Sequence, residues 1–320
     1  MKPFAFVFPG QGSQSVGMLD AWGGDAVVAQ TVQEASDALG EDVGQLIHAG
    51  PKEALALTTN TQPVMLVAGV AAYRVWMART GVAPSAVAGH SLGEYAALVA
   101  AGVLTMGQAA PLVRLRAQAM QEAVPVGQGS MAAVLGLPSD KVVACCVSVQ
   151  ATFGSESAEV VEVANFNDPG QTVISGSKLA VERACEALKA EGARRAMLLP
   201  VSAPFHCSLM RPAAEQLRAA LAGIELRAPQ IQLINNVDVA VEVDADRIRD
   251  ALYRQAFGAV RWVEIIQAMK ALGLQHVVEC GPGKVLAGMV ARIDAGLTGL
   301  PMYDPATVES AQKALEGAAA

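Results

Sequence analysis

The sequence predicts an α/β protein: a largely parallel sheet flanked by helices, with a small βαββαβ unit inserted near the middle of the chain. Three observations lead there. Short continuous apolar runs alternate with helix-length segments, as in βα units on a parallel sheet. Between 131 and 200 this rhythm changes to strand, helix, strand, strand, helix, strand. Of 320 residues, 52% are hydrophobic and 17% charged, a balance that demands a sizeable core and excludes disorder. That length suits one large domain with a smaller one.

In chain order, residues 4–8, Phe-Ala-Phe-Val-Phe, form an apolar run closed by Pro9-Gly10, which reads as a buried strand. Residues 26–39 have a helical period. Residues 61–79 predict a long helix, with Thr61 as its cap, Pro63 in its first turn and Gly81 just past its end. A short strand at 86–88 leads to a helix at 92–101, closed by Gly102. A further helix spans 108–124, with Pro111 in its first turn. After the break Pro125-Val-Gly-Gln-Gly129 come strand 131–135, helix 139–149, strands 160–164 and 171–175, helix 178–191 and strand 195–200. That order is the split-βαβ, ferredoxin-like unit. The expected division is a discontinuous large domain, 1–125 and 202–320, and a ferredoxin-like subdomain, 126–201. A strand at 276–280, the turn Gly281-Pro-Gly283 and a helix at 284–293 add a last βα unit, and residues 316–320 read as a frayed tail. The cleft between the two parts is the default ligand site.

Charge and cysteine usage narrow the function. The formal charge is -7, from 23 basic and 30 acidic residues. That argues against a nucleic-acid binder, which needs a basic face, and against docking on anionic lipid. Apolar runs such as 64–72 are too short to span a membrane. The N-terminal run passes into Gly-Gln-Gly, not a signal-peptide cleavage site. Cys145, Cys146, Cys185, Cys207 and Cys280 form no C-x-x-C pair, which suits reduced thiols in a cytoplasm and no metal site.

Gly89-His-Ser-Leu-Gly93 fits G-x-S-x-G, with an apolar strand before it and a helix after it. In that context the glycines allow a sharp turn that lifts the Ser91 hydroxyl clear of the sheet. The helix N-terminus behind it offers free N–H groups to an oxyanion. A serine needs a base, and the sequence offers His48, His90, His206 and His276. His90 adjoins Ser91 on a tight turn, where neighbouring side chains diverge, and His48 reads as a surface residue. His206 lies in Ser202-Ala-Pro-Phe-His-Cys-Ser208, where the chain re-enters the large domain, and is the preferred base. His276 is the rival, because with Asp244 or Asp246 it gives a Ser…Asp…His order; it opens a strand, however. Arg116 falls within the apolar stripe of Leu112, Leu115, Ala119 and Met120, while Arg114 falls opposite. It is either a structural cation, paired for instance with Glu122, or a receptor for an anionic substrate group. The loop Pro9-Gly-Gln-Gly-Ser-Gln14 is neither a P-loop nor G-x-G-x-x-G, but can supply half of an oxyanion hole. Asn165 to Gln171 reads as a turn-rich loop.

Together, Phe8-Pro-Gly-Gln-Gly-Ser-Gln14, Gly89-His-Ser-Leu-Gly-Glu-Tyr95, Arg116, Asn165-Phe-Asn-Asp-Pro-Gly-Gln171 with the following Val-Ile-Ser-Gly176, Pro204-Phe-His206, Gln255 and Glu279-Cys-Gly-Pro-Gly-Lys284 span nearly the whole chain. In that order they resemble the malonyl-CoA:acyl carrier protein transacylases of fatty-acid synthesis and the acyltransferase domains of polyketide synthases. The resemblance implies a large α/β-hydrolase-like domain with a ferredoxin-like insertion. It implies Ser91 as acylated nucleophile and His206 as its base. Gln11 and Leu92 would give the oxyanion N–H groups, and Arg116 would bind the malonyl carboxylate. The Gln255 backbone carbonyl would orient His206, and Asn167 would stand at the cleft. Phe205 before the base accompanies malonyl over methylmalonyl selectivity in the related domains. Cys207 departs from the serine of many relatives. The implied reaction is ping-pong transfer from malonyl-CoA to acyl carrier protein, by a cytoplasmic monomer with no metal or bound cofactor. Lys189, Arg194 and Arg195 are candidates for docking an acidic carrier protein, against the plainer reading of a solvated face. The rivals are a serine esterase or thioesterase, a non-catalytic binding subunit, and a malonyl transferase of another pathway.

Overall fold

The structure, a computed structural model, describes residues 1–154 and 156–317. Of the tail expected to fray, residues 318–320 lie outside the described residues. The chain opens with β1 (Phe4–Phe8), α1 (Ala26–Leu39), the short α2 (Val43–Ala49) and α3 (Lys52–Ala56), and the long α4 (Thr58–Thr80). Next come β2 (Ala86–Gly89), α5 (Gly93–Ala100) and α6 (Met106–Glu122). The middle holds β3 (Gly129–Leu135), α7 (Ser139–Ala151), β4 (Val161–Asp168), β5 (Gln171–Ser177), α8 (Lys178–Ala190) and β6 (Arg195–Leu198). The remainder is α9 (Arg211–Ala222), β7 (Gln232–Leu233), α10 (Ala245–Gln255), α11 (Trp262–Ala271), β8 (His276–Cys280), α12 (Val285–Ile293), β9 (Thr298–Met302) and α13 (Pro305–Glu316).

Strands β7, β2, β1, β8 and β9, in that order, form a parallel sheet. β1 lies at its centre and is buried on both faces, which is why its sequence is a continuous apolar run. Its two faces differ. Phe4 and Phe6 meet Trp76 of α4 edge-on, and Phe6 and Phe8 meet Tyr73. Ala5 and Val7 join Trp262, Ile265 and Ile266 of α11 on the other face. α4 is buried nearly all round and so carries no polar stripe.

The second sheet is antiparallel, in the order β4-β5-β3-β6, and its elements follow the βαββαβ chain order. α7 and α8 pack on one face. The opposite face presents Met131, Ala164 and Val173, with Leu199, Val201 and Phe205 beside them. β4 ties this sheet to the rest of the molecule. Phe166 N–H donates to Val260 O at 2.9 Å, Val260 N–H donates to Ala164 O at 2.8 Å, and Arg292 pairs with Asp168 at 2.8 Å. The two sheets thus meet along a cleft.

The structure corrects some local expectations. α4 starts at Thr58, a turn earlier than expected. Thr61 is not its cap but donates back to Leu55 O at 2.7 Å. Pro63 therefore sits inside the helix, where it leaves the Thr59 carbonyl without its usual partner. Arg114 Nη1 takes that carbonyl at 2.6 Å. α6 starts at Met106 because Thr105 and Gln108 form a capping box. Asn165 to Asp168 are not loop but strand: two register irregularities let β4 run on to Asp168, and the turn shrinks to Pro169-Gly170.

Candidate active site

Ser91 occupies the turn between β2 and α5 with a left-handed φ of 54°. Its flanking glycines are sterically required. A Cβ on Gly89 would lie 1.8 Å from the Gly93 carbonyl carbon, and one on Gly93 would lie 2.0 Å from Phe8 O. Asn236 clasps the turn from outside: its Oδ1 accepts from Ser91 N–H at 2.8 Å, and its Nδ2 donates to Gly89 O at 2.6 Å. No local sequence signal marked Asn236, because its partners lie far away in the chain.

His206, also at positive φ (59°), brings Nε2 to 2.6 Å from Ser91 Oγ. Its Nδ1 faces two carbonyl oxygens, Gln255 O at 2.9 Å and Gly258 O at 3.1 Å. Carbonyls only accept, so Nδ1 carries the proton and Nε2 is free to take the serine proton. Burial, and after it the Arg116 charge, drives the imidazole pKa down to about 3. The imidazole is therefore neutral, in the form a general base requires.

The other histidines are elsewhere. His276 opens β8, opposite Phe4 at the start of β1, whereas Ser91 follows the strand ends. About four strand residues, ~13 Å, lie between those levels. Asp244 caps α10 and Asp246 pairs with Arg249. His48 is exposed and paired with Asp20 at 2.8 Å. His90 turns away from the nucleophile: its Nε2 meets Asn167 Oδ1 at 2.9 Å, and its ring lies against Trp262.

Arg116 is 2% exposed. Its Nη1 donates to Gln62 Oε1 at 2.6 Å, and its Nη2 to Gln255 Oε1 at 3.0 Å and Ser91 Oγ at 3.2 Å. All three partners are neutral. No ion pair holds Arg116 among the described residues, and Glu122 is exposed. The structural-pair alternative thus has no carboxylate in direct contact with the guanidinium, Glu94 reaching it only through the Gln255 amide. Arg114, on the opposite side of α6, is the one that ion-pairs, with Glu41. Gln62 carries no local signal in the sequence, because it ends the polar run Thr58-Thr-Asn-Thr-Gln62 at the start of α4.

A cavity of about 150 Å³ joins these groups, lined by Ser91, His206, Arg116, Gln62, Phe205 and Asn165 among others. Gln11 and Leu92 also border it, and their N–H groups donate to no protein acceptor among the described residues. Asn167 does not line the cavity; it holds His90, while Asn165, two residues earlier on the bulged β4, faces the space. Gln255 contributes both its carbonyl, on His206, and its side chain, on Arg116. Cys207 is wholly buried, donates to Pro204 O at 3.1 Å and has its thiol pKa pushed up to about 12 by burial. It is no rival to Ser91. No cluster of metal-ligating side chains occurs among the described residues.

Comparison with known proteins agrees in extent with this site. The acyl transferase domain family matches residues 5–296. The chain is 50% identical over 314 residues to the malonyl CoA-acyl carrier protein transacylase of Escherichia coli, covering 97% of this chain and 99% of the relative. It superposes with a TM-score of 0.94 on the acyl-carrier-protein S-malonyltransferase of Burkholderia pseudomallei, at 58% identity over 99% of this chain and 100% of that one. It also superposes, with a TM-score of 0.93 and 48% identity over 97% of this chain and 99% of that one, on a malonyl-transacylase solved in complex with its type II PKS acyl-carrier protein. From the match along residues 5–296 and the identity across almost its whole length, the chain belongs to the acyl transferase family.

Proposed function

We propose that the protein transfers the malonyl group of malonyl-CoA to the phosphopantetheine thiol of an acyl carrier protein, through a malonyl-Ser91 intermediate. The observation that carries this reading is Arg116: a buried guanidinium with only neutral partners, 3.2 Å from the nucleophilic oxygen. A plain esterase has no use for that charge. An acyl group ending in a carboxylate supplies the missing anion in a two-pronged contact.

The steps follow from the geometry. Ser91 Oγ attacks the thioester carbonyl carbon while its proton passes to His206 Nε2. The tetrahedral oxyanion accepts from the Gln11 and Leu92 N–H groups, the latter at the start of α5. The C–S bond breaks, and the departing CoA sulfur takes the proton from His206. The carrier thiol then gives its proton to His206 and attacks the malonyl-serine carbonyl. The C–O bond to Ser91 breaks, and the departing Oγ takes the proton back from His206, leaving the malonyl thioester on the carrier and Ser91 free. These steps use only protein groups, with no metal or bound cofactor. The imidazolium formed is steadied by two carbonyl dipoles and not by a carboxylate. We hold that this weaker polarisation disfavours activation of water and so favours transfer over hydrolysis.

The same reading makes the large unit, 1–125 and 202–320, α/β-hydrolase-like, supported by its parallel sheet and the serine turn after β2. It makes the small unit, 126–201, ferredoxin-like, supported by the strand order β4-β5-β3-β6. The protein acts as a monomer in the cytoplasm, and its five free cysteines suit a reducing compartment.

The test is mass spectrometry after exposure to malonyl-CoA. A malonyl adduct is expected on the peptide containing Ser91, discharged quickly by holo carrier protein and slowly by water. An adduct on another residue overturns the assignment. Thiol release that ignores added carrier protein makes the protein a hydrolase.

A further inference from the structure

Glu94 is 2% exposed, and the steps above make no use of it. It lies one turn beyond Ser91 on α5. Its Oε2 accepts from the Gln255 side-chain Nε2 at 3.0 Å and from Asn236 N–H at 3.1 Å. Gln255 Nε2 also donates to Ser91 O at 2.8 Å, and its Oε1 accepts from Arg116 Nη2 at 3.0 Å. The amide of Gln255 is therefore held in one sense, with two acceptors at its nitrogen and a donor at its oxygen. A flip would set its oxygen against two oxygens and its nitrogen against the guanidinium.

We propose that Glu94 is a positioning residue for acyl-group selection: by gripping the Gln255 amide nitrogen it fixes the Gln255 oxygen on Arg116, and so aims the guanidinium at the acyl carboxylate. This rests on Arg116 as the carboxylate receptor. Arg116 touches no anion, and Glu94 is a buried carboxyl group one amide away. A charged acceptor at one end of an amide makes the other end a better acceptor, so the carboxylate acts on Arg116 through Gln255. Its second tether, Asn236, is the residue that clasps the Ser91 turn. One buried carboxylate thus joins the receptor to the nucleophile.

The groups facing Glu94 are Arg116 from α6, Gln255 from α10, Tyr95 beside it on α5, and Asn236 and Asp238 from the segment after β7; Asp238 is held by Arg254. Burial pushes the Glu94 pKa up to about 7, with the Gln255 and Asn236 donors and then Arg116 pulling the other way. Its charge is present above that value and lost below it. The malonyl carboxylate, with an ordinary pKa of about 4, stays ionised throughout this range.

The experiment is competition between malonyl-CoA and acetyl-CoA, on wild type, Glu94→Gln and Arg116→Ala, from about pH 6 to about pH 8.5, spanning this titration. Both thioesters use His206, so its titration cancels in the ratio. In wild type the malonyl preference should rise with pH through about 7. Glu94→Gln should lose roughly tenfold of that preference, mainly through KM for malonyl-CoA, and its ratio should be flat with pH. A purely structural Glu94 would slow both thioesters equally. Loss of preference in Arg116→Ala with full preference in Glu94→Gln overturns the role of Glu94 alone. Full preference in Arg116→Ala overturns the receptor reading itself. If Glu94→Gln does not fold, Gln255→Met decides, because it removes the amide that links Glu94 to Arg116 while keeping the backbone carbonyl on His206, and an unchanged malonyl preference overturns the proposal.

Discussion

The two walls of the cleft are built of opposite materials. The floor, at the ends of the parallel strands, holds Ser91, His206, Arg116, Gln62, Gln255, Glu94 and Asn236 in one hydrogen-bonded set. The roof, the open face of the antiparallel sheet, offers Met131, Val173, Leu199 and Val201, with Asn165 at its edge. The floor carries the chemistry; the roof excludes water and gives shape, which strengthens every electrostatic contact beneath it. Phe205 packs against both the main core and the roof cluster, so it is the joint between them. Substitution of the floor's reacting groups, Ser91 and His206, should therefore cripple the reaction, that of its carboxylate-reading groups and of the joint should alter selectivity, and that on the outer face of the small unit should touch only partner docking.

Removal of the floor's reacting groups should break the reaction outright. Ser91→Ala should abolish transfer with little change in fold, since only a hydroxyl is lost. His206→Ala should lose about a hundred- to ten-thousandfold in rate. His276→Ala should stay close to wild type, and single-turnover rates would expose the reverse ranking. The His206 imidazole sits far below the ordinary histidine value. Its neutral form thus persists as pH falls through 6.5, the ordinary value. With acetyl-CoA, which leaves Arg116 unengaged, kcat/KM should stay flat there and decline only in more acid solution.

Arg116→Ala comes next. Truncating one partner of a buried charge contact costs about 2–5 kcal/mol. Malonyl transfer should fall accordingly, while acetyl transfer falls less. Competition between the two thioesters measures the gap. A variant that keeps the full malonyl preference places carboxylate recognition elsewhere on the floor.

How much of this contrast the sequence disclosed depends on how local each signal is. The Ser91 turn was legible because strand, glycines and helix are adjacent in the chain. β1 and α1 were legible within their own residues, and the βαββαβ order followed from apolar runs alone. Asn236 and Glu94 were not legible as site residues. Their partners are brought in by the fold from more than a hundred positions away, and an asparagine after a strand looks like any turn residue. The Gln255 side chain, which bridges Arg116 and Glu94, has no signature in the sequence. The far end of β4 is hidden because Asn and Asp favour turns, whereas here Asn165 pairs with Val173 and Asp168 with Gln171, and the irregularities fall at Ala164 and Asn167. The segment between 209 and 275, with its helices α9 to α11, gave little from pattern beyond isolated residues.

At the joint, Phe205→Ser should sharpen the comparison by changing selectivity with less effect on rate. Phe205 lines the cavity with Ser91 and Arg116; on the proposed reading its ring would stand beside the acyl α-carbon, where a methyl branch would project. A single methyl group is worth about 1–3 kcal/mol, so wild type should exclude methylmalonyl only in part. The variant should admit methylmalonyl-CoA and narrow its gap to malonyl-CoA by roughly tenfold. Unaltered selectivity would assign the α-carbon's surroundings to the roof residues instead.

The smallest effect is expected farthest from the floor. Lys189, Arg194 and Arg195 are exposed, near the end of α8 and the start of β6. Arg195 pairs with Leu135, while Leu199, which lines the cavity, donates its N–H to Met131 O at 2.8 Å. Four residues of extended chain thus separate the patch from the cavity, ~13 Å. An acidic carrier protein that delivers its thiol to Ser91 would meet these charges only at its periphery. Exposed charge pairs contribute about 0–1 kcal/mol each and are screened beyond ~8 Å at physiological salt. Reversing all three charges should therefore raise the KM for carrier protein severalfold at low salt, with the effect fading at high salt. The KM for malonyl-CoA should not move, because neither the floor nor the joint is touched. A carrier KM equal to wild type at low salt assigns docking to another part of the rim and leaves the patch a solvated face.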